Sequence, residues 1–198
     1  MQHTDPNAYD ALMASAMAAS QANDEARAIE GFQQASAAQP SAALPQFMLG
    51  AEFAALGDMV QAETALANAT RLAPDFPMAR YQLGLLQFSS GRAAVALLTW
   101  QPLLELPSTD PLPHFVRGFA ALAQDRFDEA LAHYEDGLAL NTTNAALSGD
   151  IEKVIGGIRA LTTRPDAPEA ATHDTSDAPD ESAAHVLLAN YQQQGRAH

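Results

Sequence analysis

Six histidines, 24 carboxylates and no cysteine are the groups from which this 198-residue chain would have to build catalysis or a metal site. His3, His114, His133, His173, His185 and His198 are dispersed, and no two stand three or four apart, the spacing by which one helix aims two imidazoles at one ion. Without cysteine there are no disulfides, thiolate zinc sites or thiol nucleophiles. Adjacent carboxylates such as Asp128-Glu129 and Glu135-Asp136 diverge on a helix, so they read as solvated surface. Gly156-Gly157 lacks the flanking pattern of a phosphate loop, and no Ser, Lys or Tyr comes with a base placed beside it. The expectation is no enzyme, no cofactor and no metal, which leaves binding.

The elements that must carry that binding repeat every 34 residues. Ala28, Ala62, Ala96 and Ala130 fall 34 apart, and four residues after each come Phe32, Leu66, Trp100 and Tyr134. Gly50, Gly84 and Gly118 share a second phase, and Ala35, Ala69, Leu103 and Gly137 a third. A small residue recurring where two helices cross lets their backbones approach, and the bulky one beside it fills the space. Turn residues agree: Asn23-Asp24, Gly57-Asp58, Gly91-Arg92 and Asp125-Arg126 recur in phase where one helix must stop and the next begin.

These residues resemble the tetratricopeptide repeat (TPR) family, with its Leu-Gly pair in helix A, its small and aromatic residues in helix B, and its closing Pro, here Pro40 and Pro74. The resemblance implies an all-α helix-turn-helix solenoid of four repeats at 9–42, 43–76, 77–110 and 111–144. There are departures. Gln46, Arg80 and His114 replace the large residue usual early in helix A; Arg117 stands where Leu49 and Leu83 stand; Ala16 replaces the first Gly; and Pro107 comes one residue early. Leu147, Ile151, Val154, Ile155, Ile158 and Leu161 then predict a capping helix over 145–162, weakened by about 1 kcal/mol for each glycine of Gly156-Gly157.

In the family's phase, helix A lines a concave groove. The positions that fall there are Met13, Met17, Phe47, Tyr81, Leu85, Phe88, Phe115, Phe119 and Leu122. The stripe is apolar and without Lys, Arg or Asn, so it suits an apolar or amphipathic segment and not a clamped C-terminal carboxylate. The net charge of −14, with a single Lys, excludes nucleic acid and anionic membranes as partners. Residues 163–182, with three Pro, six acidic residues and no large apolar side chain, read as a disordered acidic linker. Residues 183–198 bring back Leu187, Leu188 and Tyr191 as a short docking motif, free to fold back on the protein's own groove or on that of a second copy. The start lacks a signal-like core and no long apolar run follows, so a cytoplasmic location is expected, and the Ala-rich, Arg-over-Lys usage fits a bacterial source. The expected role is a non-catalytic adaptor or assembly scaffold for a protein partner. The alternative is a chaperone for a secreted or membrane-destined client, similar to those of type III secretion translocators.

Overall fold

The computed structural model describes residues 6–163, and among them there is no β-strand. The expected linker and docking motif therefore lie, but for Thr163, outside the described residues. The chain forms two compact units, one up to Gln87 and one from Phe88.

The first unit holds α1 (Pro6–Gln21), α2 (Glu25–Ala38), α3 (Ala43–Ala55), α4 (Met59–Leu72) and most of α5 (Pro77–Ser89). Helix α1 packs on α2, α2 on α3 and α3 on α4. The crossings are close because small residues meet there. A Cβ on Gly50 would lie 2.6 Å from Leu66 Cγ, and one on Gly31 would lie 2.8 Å from Ala16 Cβ. Where the first repeat carries Ala16 in place of the expected glycine, helix α2 thus supplies the missing clearance from the other side. Ala62, Leu66, Leu83 and Leu86 then bring α5 onto α4.

The second unit holds α6 (Ala93–Trp100), a 3-10 turn (Gln101–Glu105), α7 (Pro111–Leu122), α8 (Phe127–Leu140) and α9 (Ala145–Thr162). Its centre is an aromatic stack. Phe88 and Phe119 each face Trp100, at ring-centroid distances of 5.8 and 5.1 Å, and Tyr134 meets Phe119 edge-on at 5.3 Å. Gly118 sits under the Tyr134 ring and Gly137 under the Phe115 ring, so α7 and α8 interlock through one glycine each. Helix α9 is capped by Asn144, whose side chain accepts from the Leu147 N–H at 3.1 Å. It packs on α8, burying Leu147, Ile151, Ile155 and Ile158, the i, i+4 stripe that a capping helix requires.

The turns within the repeats, three residues long in the first three and four in the last, share one device. Asn23, Gly57, Gly91 and Asp125 all take positive φ, between 53° and 78°, and the N–H after three of them returns to the helix: Asp24 to Ala19 O at 2.9 Å, Asp58 to Phe53 O at 2.9 Å, and Arg126 to Ala121 O at 3.0 Å. This left-handed cap satisfies carbonyls that the helix end would leave bare. Asp24 and Asp58 then cap the following helix by accepting from the N–H of Arg27 and Gln61.

Candidate functional site

The third repeat breaks the pattern. Helices α2, α4 and α8 each run for 14 residues, whereas α6 runs for 8. Pro102 has no N–H to donate and its ring would clash with the preceding turn, so the α-helix stops at Trp100 and the chain continues as the 3-10 turn. This turn and α6 both pack on α7. Leu103 is buried by the change, but Leu104 and Leu98 are left 40% and 72% exposed.

The result is an open groove of about 540 Å³ between α6 with its 3-10 turn and α7. Val116, Ala120, Leu97 and Ala94 line it together with Leu98 and Leu104, and Gln101 and Arg117 are its polar members. Leu49 and Leu83, at the same repeat position as Arg117, are buried, whereas Arg117 is exposed. A guanidinium beside an otherwise apolar wall can pair with a carboxylate while leucines take up aliphatic or aromatic groups.

A second cluster lies between α7 and α8. His114, His133 and Asp136 bring one ligand atom each within 4.8 Å of one another. His114 Nε2 lies 3.2 Å from the Ser108 carbonyl, which accepts its proton, while Nδ1 lies 3.9 Å from Asp136 Oδ2 and has no hydrogen-bond partner. His133 Nε2 lies 3.9 Å from Glu129 Oε1. The expectation that no two histidines converge considered spacing on one helix; the hairpin of α7 and α8 brings together two that are 19 positions apart. The signal in the sequence was His114 itself, a polar residue where the repeat pattern wants a large one.

The expected concave stripe requires correction. Tyr81, Phe88, Phe115, Phe119 and Leu122 are fully or almost fully buried and Met13 is 6% exposed, so these six side chains belong to the packing. Phe47 is half-buried with its ring 4.9 Å from that of Phe76, and Leu85 is half-buried; only Met17, at 41%, is exposed. In the second unit the physical reason is that α7 is covered from two sides, by α8 and by α6 with its 3-10 turn, so both of its apolar faces are used internally. Leu187, Leu188 and Tyr191 fall outside the described residues.

No described helix is long and apolar enough to cross a membrane. No family model matches the chain. No curated protein matches it either. Solved structures do. MamA from residue 41 to the end, from Desulfovibrio magneticus RS-1, is 13% identical with a TM-score of 0.60 and covers 96% of this chain and 98% of its own. An ArsTM double mutant of MamA RS-1 is likewise 13% identical, with a TM-score of 0.59 over 96% and 97% of the two chains. YrrB, described as a TPR protein with an unusual peptide-binding site, is 20% identical with a TM-score of 0.55 over 92% and 90%. With the helix pairs and their 34-residue period, these likenesses show that the fold is all-α and of the tetratricopeptide repeat type.

Proposed function

We propose that the protein is a non-catalytic protein-interaction module that holds an apolar or amphipathic peptide segment in the groove between α6, its 3-10 turn and α7. The observation that carries this reading is the apolar wall of that groove, with Leu98 and Leu104 presented to solvent beside Arg117. Exposed leucines that converge in one concavity are what an amphipathic ligand buries on docking. A fold shared with a peptide-binding TPR protein supports the same reading.

The chain carries one segment of suitable chemistry: Asp180 and Glu181 precede Leu187, Leu188 and Tyr191, so one peptide offers carboxylates for Arg117 and apolar groups for the leucines. It is also within reach. Thr162, at the end of α9, lines a recess with Asp125–Glu129 at the α7–α8 turn, and the 20 residues from 164 to 183 can span at most about 70 Å, against about 10 Å per packed helix.

A labelled peptide of residues 178–194 titrated into a chain ending at residue 177 tests the reading by fluorescence anisotropy. Changing Leu98 and Leu104 together to Glu should weaken binding at least ~10-fold, the effect of losing about 1.4 kcal/mol, with the melting temperature unchanged because both are surface residues. Equal affinity in the variant rejects the groove. No binding by the native protein rejects this segment as its ligand.

A further inference from the structure

The His114, His133 and Asp136 cluster is placed by the α7–α8 hairpin and has no part in the groove. Its three ligand atoms lie within 4.8 Å of one another, close enough to converge on one cation. The Ser108 carbonyl at 3.2 Å from His114 Nε2 can only accept, so that nitrogen carries a proton, and in the neutral ring the lone pair is then at Nδ1, on the side of Asp136. Two acceptors, an imine nitrogen and a carboxylate oxygen 3.9 Å apart, repel unless something positive lies between them. A backbone carbonyl that takes the far N–H of an imidazole is also the usual means of fixing the ring and tautomer of a metal-binding histidine.

We infer that His114, His133 and Asp136 form a three-ligand site for a borderline divalent transition metal, zinc foremost, that ties α7 to α8. Two imidazole nitrogens and one carboxylate oxygen are a donor set that zinc accepts, leaving a fourth position for water. Ligand atoms around tetrahedral zinc stand about 3.3 Å apart. These lie within 4.8 Å, and the Asp136 side chain is 67% exposed, so it is free to swing inward and close the set. Because His114 is also tied to Ser108, bound metal would fasten the 106–110 loop, α7 and α8 at one point.

The test is calorimetric titration of zinc chloride into the untagged, chelator-stripped full chain, set beside His133→Gln and Asp136→Asn variants that leave His3, His173, His185 and His198 untouched. The expected result is one equivalent bound, an affinity at least ~10-fold weaker in each variant, and a melting temperature raised by about 5 °C or more at a zinc concentration 100 times the Kd. Calcium and magnesium, which prefer oxygen donors, should not compete. Circular dichroism of the variants checks that helicity is intact. Long-range imidazole nitrogen spectra should show the His114 Nδ1 resonance shifting on zinc addition. Absence of binding at about 100 µM zinc, or binding in either variant as strong as in the native chain, overturns the inference; the second result would assign the metal to other groups, and the first would leave His114 Nδ1 to a proton.

Discussion

Two glycines in the second unit, Gly118 in α7 and Gly156 in α9, should respond to the same substitution with opposite signs. A helix-interior Gly→Ala change gains about 1 kcal/mol from the restricted unfolded chain and better helix propensity. At Gly156 nothing lies within 4 Å of the added methyl, so the whole gain is kept and the unit should be more stable by about 0.5–1 kcal/mol. At Gly118 the methyl would fall 2.6 Å from Tyr134 Cδ1 and 2.9 Å from Cζ, where carbon atoms rest comfortably at about 3.5–4.0 Å. The Tyr134 ring cannot retreat freely: it is fully buried and stands edge-on to Phe119, which stacks on Trp100. Overpacking of this kind costs about 1–3 kcal/mol; set against the propensity gain of about 1 kcal/mol, Gly118→Ala should destabilise by up to about 2 kcal/mol. Urea denaturation followed by the fluorescence of Trp100, the single tryptophan and a member of the same stack, reads both variants in one assay. If Gly118→Ala stabilises as much as Gly156→Ala, the close approach of α7 and α8 is wrong.

Phe115→Ala should lower stability by about 3–5 kcal/mol, because the ring is fully buried over Gly137; a melting temperature close to that of the native protein would return Phe115 to a surface role. Gly57→Ala, at φ 78°, should cost about 1–2 kcal/mol in the same denaturation assay, since a Cβ there meets the carbonyl that follows it; an unchanged midpoint would mean that the turn relaxes into another conformation.

The repeat fold was legible because its signals are local or strictly periodic. Ala28, Ala62, Ala96 and Ala130 are all fully buried, and the four turn residues with positive φ stand 34 apart. Asn, Gly, Gly and Asp are the residue types that accept that conformation, so composition alone marked the turns. The binding surface was not legible from the apolar stripe. A hydrophobic period says that a face is covered but not by which neighbour, and α7, apolar on two faces, is covered on both. Both candidate sites lie where the pattern is breached: at Arg117 in a leucine column and His114 in a column of large residues, which the sequence marks only as departures from the repeat, and at Pro102 inside a helix B, which the 34-residue period does not mark at all. Each breaks a local rule where the regular repeat would have filled the space, and such breaches are where specialised features tend to be found.

The shortened α6 makes the groove a self-contained cassette. Its walls come from residues 94–120, a contiguous stretch that crosses one repeat junction and borrows nothing from the first unit. Repeat arrays change length by gaining or losing whole units, and their stability is close to a sum over units and junctions. Duplication or loss upstream would therefore leave this surface intact, whereas exchanging the third repeat for a regular one would restore a full helix B and erase the groove along with the reason for Arg117. Transplanted across a junction of an idealised repeat protein, Pro102, Leu98, Leu104 and Arg117 are the smallest set that should carry the surface with them.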